Sequence, residues 1–178
     1  MFATDRVGDM RYIVVFVFWL MSLPAFAADA DDMVKRGREA MARMDVPAAM
    51  VQFDNALKVM PTHPDAAYER GRILLKMGDA KNAVADFTTA ALSDPKFGLA
   101  FVRRGEAQML LNNPQAAFKD FDAAIAASPA VAEVFVVRAT YRFKIGNLLG
   151  AKEDVEAALL VADEVQKPAL QKMLLRMQ

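Results

Sequence analysis

The sequence predicts an all-α fold made of four helix-turn-helix repeats of 34 residues each. Three observations support this prediction: a skeleton of small and aromatic residues that recurs every 34 positions, apolar residues at helical spacing, and glycine or proline at the helix ends. The recurring positions hold Gly37, Gly71, Gly105 and Ala139; Ala49, Ala83, Ala117 and Ala151; Phe53, Phe87, Phe121 and Val155; and Ala56, Ala90, Ala124 and Ala158. No helix pair of this size buries its apolar face alone, so the pairs are expected to stack.

The second copy, residues 64–97, illustrates how the helices are predicted. Residues 65–77 carry apolar side chains at helical spacing, and Gly78 follows as a glycine just past a helix end should. Residues 81–93 form the second stretch, which ends before Pro95 because the residue preceding a proline disfavours helical geometry. The short connection between them predicts an antiparallel pair.

The repeat resembles the tetratricopeptide repeat, whose pattern is W-x2-L-G-x2-Y, then A-x3-F, then P. The first copy holds Met33-x2-Arg36-Gly37-x2-Ala40, then Ala49-x3-Phe53, then Pro61. The resemblance covers residues 30–165, as copies 30–63, 64–97, 98–131 and 132–165. It implies a right-handed α-solenoid whose concave groove binds other proteins. Arginine replaces the family's leucine, and the family's tryptophan position holds Met33, Ala67, Phe101 and Phe135; these departures leave the expectation of the fold intact.

Two features of the copies predict how the helices pack. Gly71 and Ala83 allow the two backbones of a pair to approach closely, and Phe87 fills the space between pairs. Arginine also recurs, with a polar or acidic residue sixteen positions later, as Arg36 and Gln52, Arg70 and Asp86, Arg104 and Asp120, and Arg138 and Asp154. We expect these to pair within or between neighbouring helix pairs. The alternative is an arginine ladder that binds anions.

The ends of the chain differ from the repeats. Residues 166–178 predict a C-terminal capping helix, in which Leu170, Met173, Leu174 and Met177 share one face. Leu175 lies outside that face, so the alternative role of this helix is a homodimer contact. Residues 1–27 predict a cleaved secretory signal peptide, with Arg6 and Arg11 before an apolar run and Ala25-Phe26-Ala27 at the cleavage site. The alternative is an uncleaved membrane anchor, and a membrane partner is expected only in that case.

The composition excludes several functional classes. The chain has no cysteine, so it forms neither disulfides nor a lipoprotein anchor. Its formal net charge is +0, which argues against a nucleic-acid partner held by charge. His63, the only histidine, is expected to be a solvated loop residue, with no catalytic partner in reach. No cofactor, metal site or enzymatic activity is expected, because clustered ligands and a phosphate-binding loop are lacking.

The resemblance also implies which residues line the groove. In the family, side chains of the first helix of each pair build it. Carried onto this chain, the candidate partner-binding residues are Val34, Arg38, Met41, Tyr68, Arg72, Leu75, Lys76, Val102, Met109, Val136 and Phe143. They predict an apolar floor with basic residues toward the first half. Tyr68→Ala with Arg72→Ala is therefore expected to weaken partner binding with little change in melting temperature.

These observations lead to two functional hypotheses. In the first, the chain is an adaptor or scaffold in the periplasm, and it binds a peptide or helix of a protein partner in the groove. In the second, it is a periplasmic carrier whose groove holds a lipid or another apolar small molecule.

Overall fold

The computed structural model describes residues 27–177, and this part of the chain consists of nine α-helices without a β-strand. The helices are α1 (residues 27–42), α2 (Val46–Val59), α3 (Pro64–Lys76), α4 (Ala80–Ser93), α5 (Gly98–Leu110), α6 (Pro114–Ala127), α7 (Ala132–Lys144), α8 (Leu148–Val161) and α9 (Lys167–Leu175). The predicted signal peptide lies outside the described residues, apart from Ala27. Within the described residues, no helix is long and apolar enough to cross a membrane.

The prediction of an all-α fold made of helix-turn-helix repeats is confirmed. The first helices α3, α5 and α7 begin 34 residues apart, and so do the second helices α2, α4, α6 and α8. In the second copy the predicted helix bounds agree with the structure to within one residue. Proline lies two residues after the last residue of α2, α4 and α6, where it prevents the helix from continuing.

The turn inside each helix pair has the same geometry in every copy. One residue adopts left-handed backbone geometry, with φ of 61° at Met44, 84° at Gly78, 60° at Asn112 and 83° at Gly146. The next residue precedes the second helix, and in three copies its side chain accepts a hydrogen bond from a backbone N–H of the first turn. These caps are Asp45, Asp79 and Asn147. The turns therefore end one helix and begin the next with local interactions.

A phenylalanine of the second helix packs directly against a glycine of the first helix in three of the four pairs. A Cβ atom on Gly105 would lie 2.5 Å from Cε1 of Phe121, which is too close for two carbon atoms. The Gly37–Phe53 and Gly71–Phe87 pairs repeat this contact. These glycines allow close packing, as predicted, but what approaches them is an aromatic ring of the same helix pair, whereas Phe87 was expected to fill the space between pairs.

The recurring arginines form ion pairs with the acids sixteen residues later. Arg70 Nη2 lies 2.6 Å from Asp86 Oδ1, and Arg104 Nη2 lies 2.6 Å from Asp120 Oδ1. Each pair is bidentate, because the Nε atom also donates to the other carboxylate oxygen. In the first copy Gln52 stands where the acid would be, and Arg36 pairs with Asp32 on its own helix.

The fourth copy extends this pattern into a larger cluster. Arg138 donates to buried Asp154 on α8 and to Asp122 on α6, so it links two helix pairs. Arg142 also lies 3.0 Å from Asp154. Burial lowers the pKa of Arg138, but the hydrogen bonds to the two carboxylates outweigh burial and raise it above its ordinary value. The prediction of pairing within and between helix pairs is confirmed for the last three copies, and in all four copies the arginine pairs with an acid of the protein itself.

The chain forms two compact units, whose boundary lies inside α3 between Ala66 and Ala67. In the first unit α1 pairs with α2 through Gly37 and Phe53. In the second unit α9 ends the stack: Leu170 is buried against the cluster of Ala139, Val155 and neighbouring residues of α7 and α8. The predicted cap is confirmed. Leu175 is 65% exposed, and the homodimer contact through it stays a prediction.

The size of the residue opposite each phenylalanine yields the first testable prediction. In the fourth copy Ala139 stands in place of the glycine, and Val155 stands in place of the phenylalanine. Gly105→Ala should therefore lower the free energy of unfolding by about 1–2 kcal/mol through overpacking. Adding Phe121→Val should relieve the clash, so the double variant should be at least ~0.5 kcal/mol more stable than the two single effects added together. Denaturant unfolding of the four chains measures this coupling, and strictly additive effects would contradict the proposed contact.

Candidate partner-binding face

The structure places the eleven predicted groove residues in three different environments. The buried ones are Val34, Tyr68 and Val102. The half-buried ones are Met41, Arg72, Leu75, Met109 and Val136, and the exposed ones are Arg38, Lys76 and Phe143. Only the last two groups present surface to a partner in this structure.

Part of the predicted apolar floor belongs to the core. Val102 is fully buried in a cluster with Ala124 and Val134, which belong to the following helices. Tyr68 is 7% exposed, and its ring lies 4.6 Å, centroid to centroid, from the ring of Phe97. These side chains are covered because residues of the next helix pair pack on them, so they cannot serve as the open floor of a groove.

Polar side chains from three first helices meet above this core. The guanidinium of Arg103 on α5 donates from Nη1 to Glu106 at 2.8 Å and from Nη2 to Glu133 on α7 at 3.0 Å. Tyr68 on α3 also interacts with Arg103 through its side chain. We use the name first-helix face for the surface above the buried Tyr68 that is formed by Arg72, Lys76, Arg103, Glu106, Glu133, Tyr141 and Lys144.

The electrostatics of this face follow from the half-buried position of its charges. Burial lowers the pKa of Arg103, but the hydrogen bond and charge of Glu106, with a further contribution from Tyr68, raise it above its ordinary value. Burial raises the pKa of Tyr141, the charge of Glu106 adds to that rise, and Arg103 opposes it. The face therefore holds a permanent cation between two acids and beside two phenols.

Cations also lie over the aromatic rings of the face. The guanidinium carbon of Arg72 lies 5.7 Å from the ring centroid of Tyr68, and Nζ of Lys144 lies 4.8 Å from that of Tyr141. Both distances are within the range of cation–π attraction. Arg72 also forms an ion pair with Glu69 one turn earlier. The accessible part of the face is thus charged, with both signs represented.

Three of the predicted groove residues, Val34, Arg38 and Met41, lie on α1 in the first unit. Arg38 forms an ion pair with Asp65 at 3.0 Å, and both side chains are nearly half exposed. Pairs of this kind contribute about 0–1 kcal/mol to stability. Met41 is half-buried on the same helix.

His63 is not the solvated loop residue that was expected. Its side chain is buried, Nδ1 accepts a hydrogen bond from the backbone N–H of Ala66, and Nε2 lies 2.9 Å from Asp31 Oδ1. Because Nδ1 accepts, Nε2 carries the proton and donates to the carboxylate. The imidazole thus caps the start of α3 and ties it to α1. Neither role requires chemistry, and the described residues contain no cluster of three or more metal-binding side chains.

One further predicted residue lines a cavity. Phe143, at the end of α7, faces α9 across an open cavity of about 450 Å³. The other lining residues are Ala169, Lys172, Met173, Arg176 and Met177.

Comparison with known proteins identifies the fold. A family model described as tetratricopeptide repeat matches residues 34–87 and 68–132, which together exceed half of the chain. The chain belongs to the tetratricopeptide repeat family. No curated protein sequence matches this tetratricopeptide repeat protein significantly.

Solved structures of tetratricopeptide repeat proteins have the same fold. TTC0263, a thermophilic repeat protein of Thermus thermophilus, superposes with a TM-score of 0.68 and 21% identity, covering 83% of this chain and 80% of that one. MamA of Desulfovibrio magneticus RS-1 gives 0.66 and 19%, covering 84% and 83%. The second repeat domain of Spaghetti (RPAP3), bound to the HSP90 peptide SRMEEVD, gives 0.54 and 23%, covering 57% and 94%.

Sequence reasoning missed the residues at the centre of the face. Glu133 and Tyr141 were not among the predicted contacts. Arg103 was not among them either, because the positions carried over from the family did not include the residue before each recurring arginine. The signal was present: that residue is Lys35, Glu69, Arg103 and Val137 in successive copies. The core packing is the same in each copy, so it does not account for a position whose charge changes from copy to copy.

The burial of Tyr68 reverses the expected effect of replacing it. Tyr68→Ala should lower the free energy of unfolding by about 3–5 kcal/mol, as large aromatic truncations in a core do. Arg72→Ala removes a partly exposed ion pair and a cation–π contact, and it should cost at most about 1–2 kcal/mol. Denaturant unfolding of the two single variants tests this. Equal, small effects would mean that Tyr68 is accessible after all.

Proposed function

We propose that this tetratricopeptide repeat protein is a non-enzymatic scaffold of the cell envelope that binds a protein partner on the first-helix face. The observation that supports it most directly is the bridge from Arg103 to Glu106 and Glu133, because it places half-buried charges of both signs across the neighbouring first helices α5 and α7. Half-buried charged groups cost desolvation energy, and a face that keeps them accessible is suited to specific recognition.

The chemistry of the face favours a peptide segment that carries both charge signs. A carboxylate of the partner would find Arg72 and Lys76, which lie one turn apart on α3. A cationic group would find Glu133, whose side chain is 44% exposed. Support for a peptide partner also comes from the Spaghetti (RPAP3) domain, which is bound to a peptide. Because the face carries both charge signs, we expect it to distinguish partners by the order of charges along the peptide more than by the peptide's net charge.

A site-specific photocrosslinking experiment tests the face as the binding surface. A photoreactive amino acid at position 72 or 76 should capture the same protein in living cells, because both positions lie on the face. The same group at Lys119, exposed on the second helix α6, serves as the control. Charge reversal by Arg72→Glu with Lys76→Glu should weaken binding of the captured partner about tenfold or more. The charge-matched control, Lys81→Glu with Lys119→Glu, should leave it unchanged. Capture from position 119 alone would contradict the proposal.

The proposed location rests on the N-terminal sequence and has its own test. The chain recovered from the periplasmic fraction of a Gram-negative host should begin at Ala28, as cleavage after Ala27 requires. Mass spectrometry of the intact chain determines this terminus. An intact chain that begins at Met1 and sediments with membranes would indicate the alternative, an uncleaved anchor.

A further inference from the structure

The cavity between α7 and α9 is lined by four apolar residues and two cations. Its apolar wall consists of Phe143, Ala169, Met173 and Met177. Phe143 is 43% exposed, although an aromatic ring of this size gains stability from burial. Met173 and Met177 are flexible and polarisable side chains that adapt to the shape of what they contact. Among residues 27–177, no side chain fills the space beside this apolar surface.

Two cations lie at the edge of this apolar wall. Lys172 on α9 and Arg176, the residue after its last turn, are four positions apart; both are exposed, and both line the cavity. Within residues 27–177 neither of them forms an ion pair, whereas the arginines of the repeats are engaged by carboxylates. No acidic side chain lines the cavity among the described residues. The described lining of the cavity therefore carries two positive charges and no negative one, in a chain whose formal net charge is +0.

We propose that this cavity binds a small anionic amphiphile, namely a single apolar chain that ends in a carboxylate, such as a free fatty acid. The apolar chain lies between Phe143 and the two methionines, and the carboxylate lies between Lys172 and Arg176. Apolar burial contributes most of the affinity, and the two cations select the charged end of the ligand.

The size of the cavity favours a small molecule over a polypeptide. A volume of about 450 Å³ falls within the usual range of small-molecule sites. A specific protein interface buries roughly 1,200–2,000 Å² in total, which six lining residues on two helices do not supply. The site is separate from the Arg103 bridge, so it stands or fails independently of the proposed scaffold function. It gives a specific place to the apolar small-molecule ligand that the sequence left as an alternative.

Titration of the full chain with dodecanoate, kept below its aggregation concentration, tests this site. Methyl NMR of the methionines should show saturable shifts at Met173 and Met177 but not at exposed Met77. Shortening the ligand to decanoate should weaken binding about fourfold per methylene removed. Dodecanol, which has the same chain without the charge, should bind about tenfold more weakly or worse.

Charge-reversed variants locate the carboxylate. Lys172→Glu with Arg176→Glu should weaken dodecanoate binding about tenfold or more and leave dodecanol binding unchanged. The matched control, Lys81→Glu with Lys119→Glu, changes the net charge equally and should bind like the original chain. If circular dichroism shows that the reversed variant has lost helix, Lys172→Gln with Arg176→Gln takes its place.

Three results would overturn the proposal. The first is equal affinity for dodecanoate and dodecanol, which would indicate unspecific apolar adhesion. The second is the absence of saturable shifts at Met173 and Met177. The third is equal affinity of dodecanoate for the charge-reversed variant and for its matched control, which would place the carboxylate elsewhere.

Discussion

A phenylalanine ring that rests on a glycine, where the two helices of a pair cross, controls the packing of this protein. The contact sets how closely the helices of the first three pairs approach, because a single added carbon on Gly105 would meet the ring of Phe121 at 2.5 Å. The ring is fully buried in each of these pairs, so the contact contributes apolar burial as well as spacing. Glycine in the middle of a helix costs about 1 kcal/mol against alanine, and the buried ring offsets that cost.

The arginine–aspartate pairs add directional contacts to this apolar spacing. In the second and third copies each lies next to the glycine–phenylalanine contact in sequence: Arg104, for example, precedes Gly105, and Asp120 precedes Phe121. The bidentate geometry accepts only one arrangement of the two helices, whereas apolar packing alone tolerates rotation and sliding. Replacing one partner of such a pair leaves a partly buried charge unpaired, so the pairs specify the arrangement of the helices more than they increase its stability.

Once the core is arranged in this way, the surface of the first helices is free to vary. Position by position, the residue before each recurring arginine changes from Lys35 to Glu69, Arg103 and Val137. In the second unit this variation produces the Arg103 bridge. At another position of the first helices, Phe143 lies beside α9. Two distinct surfaces therefore arise on one scaffold: a charged face suited to a protein, and a basic-edged apolar cavity suited to a small amphiphile.

The architecture of this protein is predictable from its amino-acid sequence, because the information is local and repeated. Glycine at Gly78, proline at Pro95 and the 34-residue period are enough to predict where helices end and how they pair. The ion pairs were also predictable, since Arg70 and Asp86 recur with the same spacing in later copies. Which side chains the next helix covers, in contrast, depends on the tertiary structure. Tyr68 and His63 become buried through Phe97 and Asp31, both of which lie about thirty residues away in sequence. Contacts at that range depend on how the helices stack, and no local pattern distinguishes a covered side chain from an accessible one on the same helix face.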